Sequence, residues 1–136
     1  MKADAKNRVA LLAGATGEIG EAIARQLAAA GTQLALAAAS QGELDALAGR
    51  LGGAGAFTML VDPADARAVA GCVERVLARC GRIDILVNNA VPLDGKPLNA
   101  LSATDISAAV NTALAGPFHF MREVVPRMQQ EGHGRV

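Results

Sequence analysis

The feature that most narrows what this chain can fold into is a ten-residue stretch, "LLAGATGEIG", Leu11 to Gly20. An apolar run breaks into three glycines spaced three apart, Gly14, Gly17 and Gly20, and an amphipathic segment follows at once. A strand that turns directly into a helix leaves the first helical N–H groups unpaired, and glycines let another group come close to the backbone. Such a helix start seats phosphate well. On that basis Gly14 makes the turn, Gly17 brings the backbone near a pyrophosphate, and Gly20 lets the helix pack tightly on the sheet. The plainer alternative is an ordinary strand-to-helix turn in a chain that holds 15 glycines. The surrounding sequence has to separate the two.

That sequence alternates. "RVALLAGA" reads as a buried strand and "GEIGEAIARQLAAAG" as a helix, with Ile19, Ile23 and Leu27 every four residues and Gly31 as its stop. "TQLALAAAS" is a second strand, "GELDALAGRL" a helix ending in "GGAG", and "AFTMLVD" a third strand. "PADARAVAGCVERVLARCG" is a helix with Val69, Val73, Val76 and Leu77 on one face. "RIDILVNNA" is a fourth strand, apolar enough to be covered on both faces. After the polar loop "VPLDGKPLNA", residues 102–132 read as one long helix, capped by Ser102 or Thr104 and bent at Pro117 and Pro126. The final "GRV" looks like the first step of a fifth strand.

Four strand–helix alternations predict an α/β fold, a doubly wound parallel sheet of Rossmann-like kind, with right-handed crossovers and helices on both faces. The expected sheet stops after the fourth strand and the long helix. Residues 1–136, without repeat or linker, form one expected domain. A 51% hydrophobic content built on Ala, Leu and Val, with three Phe and no Trp or Tyr, suits close helix-on-sheet packing. Thirteen basic residues balance thirteen acidic ones, so bulk charge favours neither nucleic acid nor an anionic membrane. No leader is visible and the apolar segments are too short to span a bilayer, which together predict a cytoplasmic protein. Cys72 and Cys80 fall on different faces of their helix, lack zinc-like spacing and are expected to be reduced. No metal site is expected.

In an open parallel sheet the strand ends share one edge with the glycine turn, and ligands bind along that edge. Asp62 closes the third strand, where it would accept a hydrogen bond from an adenine amino group or cap the helix starting near Ala64. Asn88 and Asn89 close the fourth, where they would tie strands together, contact a ribose, or serve as turn residues.

The order "AGATGEIG", "VDPAD", "DILVNNA" and a long helix with "GPF" resembles the short-chain dehydrogenase/reductase family, over essentially the whole chain. The resemblance is to the NAD- or NADP-binding first half or so of such an enzyme. It implies a carbonyl–alcohol oxidoreductase of 3-oxoacyl carrier-protein reductase or related alcohol dehydrogenase kind. The cofactor-binding residues it implies are Gly14, Thr16, Gly17, Ile19, Gly20, Ser40, Asp62, Pro63, Asn89 and Ala90.

The departures matter as much. The family opens on Thr-Gly-x-x-x-Gly-x-Gly; here Ala13 replaces the Thr and Glu18 the middle Gly, while Gly17 restores a spacing like that of the extended branch. A Glu18 carboxylate facing a pyrophosphate at ~5 Å would be repelled by roughly 3 kcal/mol at an effective dielectric near 20. At the end of the second strand an acid favours NAD and an Arg favours NADP. Ala39 stands there with only Ser40 able to bond a 2′-phosphate, and the lack of an acid leans to NADP. The family's catalytic Ser, Tyr-x-x-x-Lys and Asn are not found. There is no Tyr, and Ala113 stands three before the Gly of "GPF". Asn111 is two residues early, about 200° round a helix, so either two residues were inserted or the Asn was lost. Retained upstream spacing favours loss, with Asn111 an exposed helix residue. His119, between Phe118 and Phe120, reads as a boundary residue, and His133 as solvated. No catalytic residue is assigned.

The chain is therefore expected to bind the nucleotide without turning over substrate. It would serve as a fragment of a longer enzyme, as a non-catalytic interaction module, or as a half completed by a partner chain. An uncovered fourth strand, with Val124, Val125 and Met128 lacking later elements to pack on, predicts self-association or a complementing chain.

Overall fold

A computed structural model of the protein describes residues 7–52, 55–91 and 95–136. The polar start of the chain, the middle of "GGAG" and part of the "VPLDGKPLNA" loop lie outside the described residues. The elements are β1 (Val9–Ala13), α1 (Glu18–Ala29), β2 (Gln33–Ala38), α2 (Gln41–Arg50), β3 (Ala56–Leu60), α3 (Ala66–Cys80) and β4 (Ile85–Asn88). A 3-10 turn (Leu98–Ala100), α4 (Ala103–Val110), a π turn (Asn111–Ala115) and α5 (Gly116–Glu131) follow. The sheet is parallel throughout, in the order β3-β2-β1-β4.

The central strands explain the layering. All five residues of β1 are buried, and they alternate between two cores. Ala10 and Leu12 point to a cluster with Ala24 of α1 and Leu44 and Leu47 of α2. Val9, Leu11 and Ala13 point to a cluster with Val69, Val73 and Val76 of α3 and Phe120, Val124 and Met128 of α5. Each fully buried Leu or Phe contributes about 1.5–3 kcal/mol. Small strand residues such as Ala35 and Ala37 let the helices sit close.

Several expectations change. Ile19 is 67% exposed, so α1 buries Gly20 and Ala24, with Ile23 and Leu27 half-buried, and not an Ile19–Ile23–Leu27 stripe. In β4 only Leu86 is buried, because an edge strand lacks cover on one side. Cys72 is buried and Cys80 half-buried, yet both border the same cluster, since eight residues bring a helix back within about 80°. Val124 and Met128 are buried against α3 and the sheet. The exposed apolar side chains of the C-terminal helices are Ile106 (50%), Val110 (49%), Leu114 (59%) and Phe118 (61%). The long helix is interrupted by the π turn directly before Gly116 and Pro117, while Pro126 lies inside α5. Ser102 is its N-cap, in a capping box with Asp105.

At the start of β4, Asp84 is 3% exposed and organises the far edge of the sheet. One of its oxygens accepts from the Val9 N–H at 2.8 Å, and Arg82 binds the carboxylate through both Nε and a terminal nitrogen. His133 Nδ1 stands 3.5 Å from it. The Arg135 N–H donates to the Asp84 carbonyl, and the Leu86 N–H donates to the Arg135 carbonyl, both at 2.9 Å. The "GRV" segment therefore lies parallel to the outer edge of β4 as a single bridge, Ile85 to Arg135.

Candidate functional site

The glycine turn stands between β1's two neighbours, β2 and β4, where the sheet runs outward in opposite directions. Gly14 has φ +77°, and a Cβ there would overlap the Asn89 and Ala90 backbone. A Cβ on Gly20 would meet the Gly14 carbonyl and, at 2.7 Å, the Ala15 carbonyl, so only glycine lets α1 start this close to the turn. Gly17 differs: nothing lies within 4 Å of where its Cβ would be, and the space is open. Gly17 is the N-cap of α1 and makes no side-chain cap. By contrast Ser40, Asp65 and Ser102 accept backbone N–H groups at the starts of α2, α3 and α4. The α1 start thus presents uncapped N–H groups and the positive end of a helix dipole beside open space.

That space is a cleft of about 540 Å³. Its wall is formed by Gly14, Thr16 and Gly17; by Ala38, Ala39 and Glu43; by Asp62 and Pro63; by Asn89, Ala90 and Val91; and by Thr112. Seven of the ten residues expected from the sequence are thereby brought together: Gly14, Thr16, Gly17, Asp62, Pro63, Asn89 and Ala90. Gly20 supports the turn from behind. Ile19 projects into solvent just past it and does not line the cleft.

Ser40 is not on the wall either. Its hydroxyl faces the Glu43 N–H at 3.5 Å as the cap of α2, a role that a serine before a helix commonly takes. Asp62 does not cap α3: Asp65 does, accepting from the Arg67 and Ala68 N–H groups. One Asp62 oxygen accepts from the Ala64 N–H at 2.9 Å, and the residue is otherwise exposed on the cleft. Asn89 ties the strand ends together, donating Nδ2 to the Gly14 carbonyl at 3.0 Å and its N–H to the Ala13 carbonyl at 2.9 Å. Glu18 is exposed, lies off the wall, and as the first residue of α1 suits the helix dipole. The charge argument against it therefore loses its geometric basis.

Pro63 is buried, and its carbonyl accepts from His119 Nδ1 at 2.9 Å. A Cβ on Gly116 would meet the Pro63 ring at 2.8 Å, so the glycine of "GPF" lets α5 lie against this segment. Asn111 is exposed, as expected, at the first position of the π turn. Its neighbour Thr112 faces the cleft, as do Glu43 and Val91. The sequence reading missed these three. No linear signal marks Glu43 or Thr112, because helix packing sets which side chain reaches a cleft, while Val91 simply continues the Asn89–Ala90 strand end. Among the described residues no group of His, Cys, Asp and Glu could hold a metal ion, and no helix is long and apolar enough to cross a membrane.

Among the described residues one buried side-chain polar atom lacks a partner, the Oδ1 of Asn88. Asn88 lies opposite Ala13 in the β1–β4 register. Ala13 stands where the sequence pattern carries a hydroxyl residue, which would supply the missing donor. An orphaned buried acceptor costs ~1–3 kcal/mol. Ala13→Ser is expected to stabilise the fold by about 1 kcal/mol in chemical denaturation. Unchanged or lower stability would show that the hydroxyl does not reach Asn88.

A family model described as short chain dehydrogenase matches residues 8–136. A (2S)-[(R)-hydroxy(phenyl)methyl]succinyl-CoA dehydrogenase subunit of Thauera aromatica is 47% identical, across 100% of this chain and 55% of that protein. A metagenomic short-chain oxidoreductase solved in complex with NADP superposes with a TM-score of 0.87 at 32% identity, over 97% of this chain and 61% of the other. An NAD+-bound xylitol dehydrogenase superposes at 0.90 and 29% identity, over 98% and 53%. The chain spans about half the length of the curated relatives it matches.

Proposed function

Because this chain belongs to the short chain dehydrogenase family, we propose that it seats a nicotinamide dinucleotide along the cleft at the C-terminal edge of its sheet. The observation that carries this is the uncapped start of α1 opening on that cleft beside Gly17. The N–H groups there would hold the pyrophosphate. The exposed Asp62 carboxylate would accept from the adenine amino group, and Asn89 and Ala90 would lie against a ribose. Thr112, whose hydroxyl has no hydrogen-bond partner among the described residues, would face the nicotinamide side. The bound dinucleotide would supply or take up the hydride.

We further propose that the chain is not sufficient for hydride transfer. It contains no tyrosine, and Ala113 occupies the helix position where the family pattern has Asn. The missing groups would come from further sequence or from a complementing chain. The Thauera relative is named as a subunit, which supports the second source. Its name also describes a hydroxyl on an acyl thioester, so a secondary alcohol–ketone pair on an acyl thioester is the substrate class proposed, in line with the 3-oxoacyl kind the sequence suggests. The exposed apolar residues of α4 and α5, with the outer edge of β4 paired only at its start, support self-association or such a partner.

Calorimetry with NAD+ and NADP+, followed by a turnover assay with 3-hydroxyacyl thioesters, tests the proposal. Binding without turnover by the purified protein is expected. Reproducible turnover would overturn the insufficiency, and no heat with either nucleotide would overturn the cofactor reading. Light scattering at micromolar concentration is expected to show more than a monomer, and a stable monomer would overturn self-association.

A further inference from the structure

The end of β2 is neutral: Ala38 and Ala39 form the cleft wall there, and Ser40 turns away to cap α2. The next wall residue along the chain is Glu43, in the first turn of α2. Glu43 is exposed and makes no ion pair among the described residues. Among the described residues Asp62 is the only other charged residue of the wall, and no lysine or arginine lines it. Near the β2 end the cleft wall therefore carries two carboxylates and, among the described residues, no cation to offset them.

We propose that Glu43 sets the nucleotide choice, selecting a dinucleotide with a free ribose 2′-hydroxyl over one with a 2′-phosphate. The inference rests on the dinucleotide reading above and names the specificity of that site. A phosphate monoester carries about −1.5 to −2 charges at neutral pH. Against the Glu43 carboxylate it is repelled, whereas a ribose hydroxyl donates a hydrogen bond to it. The lean toward NADP drawn from the sequence rested on Ser40 and on the lack of an acid at the strand end. The cap engages Ser40, and the acid comes from the helix.

Titration of the purified protein with NAD+ and NADP+, beside a Glu43→Gln variant, tests this. Glutamine keeps the size of the side chain and suits the same helix position. The wild type is expected to bind NAD+ at least ~10-fold more tightly than NADP+, and Glu43→Gln to narrow that ratio by about 10-fold, mainly by tightening NADP+. Raising the salt should narrow the ratio in the wild type and leave it nearly unchanged in the variant, because the penalty is a screened repulsion. Equal or tighter NADP+ binding by the wild type, or a ratio that Glu43→Gln does not move, would overturn this inference and leave dinucleotide binding standing. No binding of either nucleotide to either protein would overturn both.

Discussion

Gly14→Ala is expected to destabilise the protein by about 3–5 kcal/mol. Two costs combine. The residue sits at φ +77°, where an L side chain is strained, and the new Cβ would overlap the backbone of Asn89 and Ala90. Relief requires the end of β4 to move, which breaks the Asn89 bonds to Gly14 and Ala13. Such a loss takes a large share of a typical ~5–15 kcal/mol. Gly17→Ala is the control. Its φ is −73° and no atom lies within 4 Å of the new Cβ, so the fold should lose less than ~1 kcal/mol and any defect should appear in nucleotide affinity. Urea midpoints of the two variants separate fold from site. A Gly14→Ala protein as stable as the wild type would show that the β4 end yields freely.

Asp84→Ala should cost about 3 kcal/mol by removing the acceptor of a buried N–H and leaving Arg82 without its carboxylate. Asp84→Asn keeps an oxygen for the Val9 N–H, so its loss should be smaller. Burial pushes the Asp84 carboxyl up, but the Arg82 hydrogen bonds, the Val9 N–H and the nearby Arg82 and His133 charges outweigh that and hold it below the usual aspartate range. A carboxylate held low in the folded state contributes stability that is full above the ordinary aspartate pKa. That contribution is lost as pH falls through the lowered value. Denaturation of wild type and Asp84→Asn should therefore converge on acidification below pH ~4. A difference that stays constant with pH would mean the charge contributes nothing.

The strands and α1 to α3 were legible because each declares itself locally. "RVALLA" and "QLALAA" are too apolar for anything but a buried strand, and glycines 31 and 81 end their helices in left-handed conformations. The glycine turn was legible because its geometry depends on residue type alone. What escaped the sequence depends on competition or on packing. Ser40 read only as a phosphate contact, and Asp62 had two possible roles. The structure engages Ser40 as the cap of α2, and Asp65, three residues on, took the capping role offered to Asp62. Glu43 and Thr112 read as ordinary helix residues until α2 and the π turn are set against the sheet. "NTALA" contains nothing that breaks an α-helix, so the π turn is invisible in it.

That turn governs how the outer surface of the C-terminal helices is phased. In an uninterrupted α-helix each residue advances 100°, so the twelve residues from Ile106 to Phe118 would wind the side chains about 120° out of line. A π turn takes up one residue more than an α turn. Counted without that residue, the offset falls to about 20°. Ile106, Val110, Leu114 and Phe118 then stay on one side of the helix, an apolar ridge and not a spiral. Deleting Thr112 or Ala113 would leave all four apolar side chains present and still dismantle the ridge by rotating its two halves apart.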